Sequence, residues 1–461
     1  MVWGKMGKIE YGRPSKDISG VKLGDKRLDK RLEETVEKMT ERREPSILSG
    51  CGSKYWAKAF YGLLSNERFN MEKMVESAQK ATVERIKRSG IREVLLPQDT
   101  MDMNLNGHKK TEGLGYCSEH ILGVKAHNCI ALSPDGGPLG VMAQRYETRK
   151  SAKNEMTKEA KSERPIEEKE SYRWLETARE VVKLIPEGVT PIIICDREGD
   201  FYELYAEMQS LNSSFVVRVM QDRETTDNDR SFQKLRRKQA CGEVEVAIPR
   251  DTRRNIKART AKMEVSYCAA SIVKPKRAST KIPKYLELNL VRITEIGETS
   301  EEPIEWFLAT NMPLANADDA LKIVNYYVQR WKIECFHHVL KSGCNVEKIQ
   351  QRTYDRILPV LFIYSVIAAF ILALTYFART DPDIPCDAFF DDYEWKILYR
   401  LVIPKSNPPI EPYSLKTAVD FLGQLGSFKH SPSDGDYGVK AVWKGLVCLF
   451  HALDVVDRLM G

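Results

Sequence analysis

Among the ten cysteines no two stand in a Cys-x-x-Cys pair, so zinc-knuckle spacing and a redox dithiol motif are both missing. The expectation is reduced thiols, many of them in cores. No apolar leader opens the chain: Met1-Val-Trp-Gly-Lys5 soon gives way to charge, and secretion is not expected. A large excess of one charge is missing too. The 71 basic and 65 acidic residues leave a formal +6 over 461 residues. That excludes a disordered polyelectrolyte and does not by itself establish a nucleic-acid partner. With 42% apolar residues and the length of about three average domains, the chain can build large cores. A collagen-like chain and a disulfide-stapled miniprotein are also excluded.

Long apolar runs are limited to one, Ile357 to Phe377. A run of about 20 apolar residues can span a bilayer, and the buried helix of a large protein reads the same way. Deep in an otherwise charged chain, a core helix is expected, with Pro359 in its first turn, where a missing N–H costs little.

The first 90 residues read as helical and charged. Leu28, Leu32, Val36 and Met39 recur at helical spacing, and the first fifty residues hold twelve Lys or Arg against nine Asp or Glu. Lys26, Arg27, Lys30 and Arg31 cluster on this helix, which either lies along phosphates or presents an ordinary solvated face. From residue 91 strands and helices alternate. Val94 to Gln98, His120 to Ser133, Leu139 to Gln144, Pro191 to Cys195 and Phe215 to Met220 read as strands, and Ser171 to Leu184 and Phe201 to Gln209 as helices. Glu147 to Glu168 reads as loop with solvated helix. This order favours an α/β fold around a central sheet. Residues 221–305 then show two-residue alternation in four segments, a mainly β insertion. Helix returns at Ala317 to Lys341, and the last ninety residues look helical apart from Pro404 to Pro412.

Asp99 and Asp196 each follow an apolar strand directly, where a carboxylate can be held rigidly over a cleft. Tyr327, Arg330, Glu334, His338 and Lys341 follow spacings of 3, 4, 4 and 3, which puts all five along one face of a single α-helix. A surface helix with ion pairs such as Arg330–Glu334 gives the same pattern. Two aspartates and a glutamate suit Mg²⁺, which takes carboxylate and water oxygens beside phosphates. Arg330 and Lys341 would hold anionic substrate.

These strings resemble the IS4 family of cut-and-paste transposases. Gln98-Asp99-Thr100 is similar to the first acidic motif of that family, and Asp196-Arg197-Glu198-Gly199-Asp200 to the second. Tyr327, Arg330, Glu334 and Lys341 match the third without a gap, inside the string Arg330 to His337. Leu425 to Phe428 and Trp443 to Gly445 resemble the C-terminal signature. The resemblance implies an RNase H-like catalytic core interrupted by a β-rich insertion, with helical N- and C-terminal regions. Its divisions would be a DNA-binding region (1–90), core (91–220), insertion (221–310), core with the glutamate helix (311–380) and C-terminal region (381–461).

By the same resemblance, Asp99, Asp196 and Glu334 would hold two Mg²⁺ ions, with Mn²⁺ as a substitute. Their reaction would be phosphoryl transfer at transposon inverted ends and on target double-stranded DNA, through nicking, a hairpin and strand transfer. Tyr327, Arg330, Lys341 and His338 would grip phosphates. Arg218 would contact DNA, and Trp306 would stack on an extruded base; a solvated strand arginine and a core tryptophan are the plainer readings. His338 stands where relatives often have lysine, and Gly199 replaces a more usual alanine, expected to be harmless.

Synapsis implies a homodimer. The helix Val439 to Asp457, with Val442, Leu446, Leu449, Phe450 and Leu453 at helical spacing, would supply its surface or dock within the chain. The expected location is cytoplasmic and DNA-associated, with no membrane. Competing functions are a Mg²⁺-dependent structure-specific endonuclease on the same fold, a catalytically silent DNA-binding inhibitor of transposition, and a membrane protein built round Ile357 to Phe377.

Overall fold

The structure is a computed structural model. It describes residues 11–42, 47–151, 164–248, 258–279, 281–297, 303–426 and 437–460. Parts of two sequence assignments, 152–163 of the charged stretch after Glu147 and Ser427-Phe428 of the C-terminal signature, lie outside the described residues.

The apolar runs at Val94 and Pro191 become adjacent strands with both faces covered, as strands of a parallel pair require. β1 (Glu93–Asn104) and β5 (Thr190–Cys195) pair in parallel from Glu93↔Thr190 to Pro97↔Ile194. β6 (Ser214–Arg218) continues in parallel beside β5. On the other side β3 (Ile121–Leu132) lies antiparallel to β1, the short β2 (Tyr116–Ser118) pairs with its start, and β4 (Pro138–Glu147) returns as its hairpin partner. The order β4-β3-β1-β5-β6, antiparallel and then parallel, is that of an RNase H-like core. β4 is an outer strand whose carbonyls would otherwise be exposed. The helix Met71–Ser89 satisfies them: Gln79 donates to the Met142 carbonyl at 2.8 Å, Thr82 to that of Val141 at 3.0 Å and Arg85 to that of Leu139 at 3.2 Å.

The alternating segments form β7 (Gly242–Ile248), β8 (Arg259–Val273), β9 (Tyr285–Glu295) and β10 (Glu305–Thr310). They do not make a sheet of their own. β10 pairs antiparallel with both β9 and β6, so the core sheet runs on through β9 and β8 to β7.

Three sequence expectations change. The long apolar run becomes the helix Tyr354–Thr380, which starts earlier than expected, so Pro359 lies inside it rather than in the first turn. Its apolar window is 94% buried within the protein, and the membrane reading of this helix is withdrawn. The stretch 317–341 is not one helix. It breaks into Ala317–Gln329, Trp331–His338 and a π turn at Val339–Gly343, with Arg330 at the first joint. Finally, the apolar face of the helix Val439–Met460 is used within the chain. Val442, Leu446 and Leu449 are fully buried, Phe450 and Leu453 nearly so. Gly445 lets this helix approach the neighbouring helix Leu415–Gly426 so closely that a Cβ would strike the Leu422 carbonyl. The five residues therefore cannot double as a dimer surface.

Candidate active site

Strand register brings the first two carboxylates together. Pro97 faces Ile194 across the parallel pair, and Asp99 and Asp196 each lie two residues further on. Asp196 directly follows β5, as expected. Asp99 does not end its strand, because β1 continues antiparallel to β3 as far as Asn104. What ends beside Asp99 is the neighbour β5, and that opens the sheet at the carboxyl ends of two parallel strands. Both side chains are braced locally. Asp99 accepts from the Thr100 N–H at 2.7 Å, and Asp196 accepts from the Glu198 N–H at 2.8 Å, capping the short turn Arg197–Gly199.

The second aspartate of the DREGD string has a different job. Asp200 is buried, pairs with Arg223, and accepts from Tyr205 Oη at 2.7 Å and from the N–H groups of Met220 and Gln221 at 2.7 and 2.9 Å. It anchors the chain leaving β6. Gly199 is not interchangeable with alanine, contrary to expectation: a Cβ there would collide with Cys195 Cβ, which has no freedom to swing away. Gly199→Ala is expected to destabilise the protein by about 1–3 kcal/mol through overpacking, read as a lowered midpoint in urea. Combining it with Cys195→Ala, which empties the sulfur side but keeps the Cβ, should recover little.

The glutamate helix packs against β1. The joint at Arg330 aims its guanidinium between two carboxylates, 3.7 Å from Asp99 Oδ2 and bonded to Glu334. Tyr327 is buried beside it, and Trp306 meets Tyr327 edge-on at 5.7 Å. Arg218, at the end of β6, lies 5.4 Å over the Trp306 ring. Arg218, Trp306, Tyr327 and Arg330 thus form a continuous line, two rings between two guanidinium groups, that ends at the carboxylates.

Lys341 leaves this line. The π turn rotates it so that Nζ donates to the Asp102 carbonyl at 2.5 Å, with Glu347 at 3.5 Å. His338 points outward and is exposed, with Ser342 Oγ 3.5 Å from its Nδ1. The five-residue face is therefore corrected: Tyr327, Arg330 and Glu334 share the site, while Lys341 and His338 turn to other surroundings. The imidazole that does enter is its neighbour's. His337 is buried, with Nδ1 3.9 Å from Asp99 Oδ2. One residue along a helix is a turn of about 100°, which decides between the two histidines.

Burial pushes the Asp99 carboxyl up to about 7; Arg330 opposes the shift, while Asp196 and Glu334 add to it. Burial also holds the His337 imidazole down at about 3, aided by Lys341 and Arg330, so it stays neutral. Among the described residues no three carboxylate, imidazole or thiol groups stand in ion-holding geometry. The charge of the carboxylates is answered by Arg330 instead. The chemistry of the donor set nonetheless fits a hard divalent cation: three oxygen-bearing acids, one of them raised by burial and, less, by its acidic neighbours.

Residues 170–370 match the sequence profile described as a transposase DDE domain, and residues 15–69 match that described as transposase DNA-binding. Over those stretches the chain is similar to DDE transposases. That match spans Asp196 and Glu334, while Asp99 lies upstream of it. Among solved structures, the piggyBac transposase synaptic complex with hairpin DNA, determined by cryo-EM, is similar at 10% identity and a TM-score of 0.35, over 85% of this chain. This chain covers 58% of that one.

Within the stretch that matches the transposase DNA-binding profile, the basic helix runs Lys26–Arg42. Lys26, Arg27 and Lys30 are exposed and Arg31 is half-buried. Arg27 pairs with Asp25 at 3.0 Å, and Lys30 stands 3.8 Å from Glu34. Leu32, Val36 and Met39 fix the opposite side of the helix in the core. Beyond His337, sequence reasoning missed Asn128 and Gln144 on β3 and β4. No motif marks either residue; only strand pairing places them opposite one another.

Proposed function

We propose that the chain is a cut-and-paste DNA transposase of the IS4 type, in which Asp99, Asp196 and Glu334 hold two Mg²⁺ ions. The observation that carries this is the register of Asp99 and Asp196 on β1 and β5, with Glu334 tied to Asp99 through Arg330. When bound, the ions would stabilise the attacking and leaving oxygens of an in-line displacement at phosphorus. The rest falls to side chains of the chain itself. Arg330, freed from the carboxylates as their charge is answered, would turn to a phosphate of the bound strand. Arg218 and Tyr327 border the same line. Trp306, half-buried under Arg218, would offer its ring to an extruded base once Arg218 turns to DNA. Lys26, Arg27 and Lys30 would follow the backbone of the transposon end, and target DNA would occupy the same catalytic cleft. Hairpin formation and a homodimer in synapsis belong to this proposal on the resemblance, with a dimer surface other than the buried face at Leu446.

The assay is cleavage of a labelled duplex carrying the element's own end sequence, with Mg²⁺, followed by strand transfer into a plasmid. Products of both steps are expected from the intact chain. Cleavage with no joined product under any end configuration would reduce the function to that of an endonuclease.

One substitution separates steps within the reaction. Base–aromatic stacking contributes about 1–3 kcal/mol. Trp306→Ala is therefore expected to slow second-strand cleavage by roughly 5- to 150-fold while leaving the first nick within a few-fold. Equal slowing of both steps, measured on denaturing gels, would remove the stacking role.

A further inference from the structure

His337 receives its orientation from a chain of buried polar side chains whose polarity can be traced from two backbone carbonyls. Ser365, on the long core helix, spends its one hydroxyl proton on the Leu361 carbonyl at 2.9 Å. Its oxygen must then accept, so the amide edge of Gln144 that faces it at 2.8 Å is the nitrogen. Gln144 Oε1 is left to accept from Tyr146 Oη at 2.6 Å, as a phenol requires. Gln144 Nε2 also donates to Asn128 at 2.6 Å, which fixes that atom as Oδ1. Asn128 Nδ2 therefore faces both the Ala126 carbonyl at 3.3 Å and His337 Nε2 at 2.9 Å. A donor at 2.9 Å obliges Nε2 to accept. The proton of the neutral ring is on Nδ1, the nitrogen that faces Asp99.

We infer that His337 is a positioning residue for Asp99: the relay Ser365–Gln144–Asn128 locks its imidazole as the Nδ1–H tautomer, so that a neutral donor stands behind the carboxylate. The inference rests on Asp99 being an active-site acid. At 3.9 Å the contact is longer than a hydrogen bond, and such contacts often tighten in the loaded complex. A neutral donor orients a carboxylate without neutralising it, leaving its charge for a cation. The other buried histidine nearby, His127, has its Nδ1 2.8 Å from the Thr100 hydroxyl and its Nε2 3.0 Å from the Gln98 side-chain amide.

Selective ¹⁵N-histidine labelling of the full chain tests the tautomer without any turnover. The His337 signals, identified by their loss in His337→Asn, should show a protonated Nδ1 and an unprotonated Nε2. Asn128→Asp, which replaces the donor with an acceptor, should reverse them. An unprotonated Nδ1 in the unsubstituted protein overturns the inference. Activity supplies the second arm. Asparagine places its amide nitrogen near the Nδ1 position and glutamine near Nε2. His337→Gln is expected to lose about 10–100-fold in strand cleavage, and His337→Asn only a few-fold, at matched melting temperatures. Equal losses in the two variants would mean that the residue serves packing alone. Full cleavage by Asp99→Ala would instead end the transposase proposal and leave the tautomer result intact.

Discussion

Asp99→Ala, Asp196→Ala and Glu334→Ala are each expected to lower DNA strand cleavage by on the order of 10³-fold or more, with the fold and duplex binding retained. The reason is the division of labour seen in the site. Asp196 and Glu334 are partly open, and Arg330, which pairs with both Asp99 and Glu334, keeps one carboxylate partner when either is truncated. Stability should move the other way for one of them. Burial raises the Asp99 carboxyl to about 7, against 3.8 for the free side chain. A group raised on folding contributes stability that is full below the lower value and lost as pH climbs through the higher one. Above pH 7 the ionised Asp99 therefore costs the folded state something, and Asp99→Asn should recover on the order of 1–3 kcal/mol there. The gain should vanish below about pH 4. Urea titrations below pH 4 and at pH 8 give the two values. A variant that is catalytically dead yet more stable at pH 8 is the expected pairing; a loss of stability at pH 8 would mean that Asp99 is held for structure.

Asp200→Ala should do the reverse and unfold the protein under mild conditions. Asp200 is four residues from Asp196 in the same string, yet its carboxylate is enclosed, bonded to Arg223, Tyr205 and two backbone N–H groups. Truncation strands the Arg223 guanidinium, itself almost wholly buried. Removing one partner of such a pair costs about 3–5 kcal/mol, a large part of the stability of a typical domain. A fall in melting temperature on the order of 5–15 °C, with residual cleavage below the new midpoint, is expected. The contrast between Asp196→Ala and Asp200→Ala, one losing chemistry and the other losing the fold, is a test that neither variant provides alone.

Much of this site was legible in the chain. The runs before Asp99 and Asp196 are apolar enough to identify buried strands, and the third motif carries its own spacing. What the spacing could not carry was register. Nothing in either string says that Pro97 faces Ile194, and that pairing alone brings the aspartates to one edge. The chain keeps α-region dihedrals through Arg330, so Tyr327, Arg330 and Glu334 hold their common face. Regular hydrogen bonding lapses at Val339–Gly343, the π turn that takes Lys341 to the Asp102 carbonyl. His337 and His338 both precede that turn, and packing of their helix on the sheet decides which of them enters the site. For Tyr354–Thr380 and Val439–Met460 the apolar pattern was read correctly, but the covering surface was not visible. Pattern shows that a face will be buried; only packing shows against what.

The most direct test of the central claim, that three distant acids act as one metal-holding group, is an anomalous-scattering map of the DNA-bound protein soaked in Mn²⁺. Expected are ion peaks about 2.0–2.2 Å from carboxylate oxygens of Asp99, Asp196 and Glu334, with Arg330 withdrawn from between Asp99 and Glu334 toward a phosphate. Peaks coordinated elsewhere, or Arg330 still lodged between those two carboxylates with cleavage in progress, would contradict it.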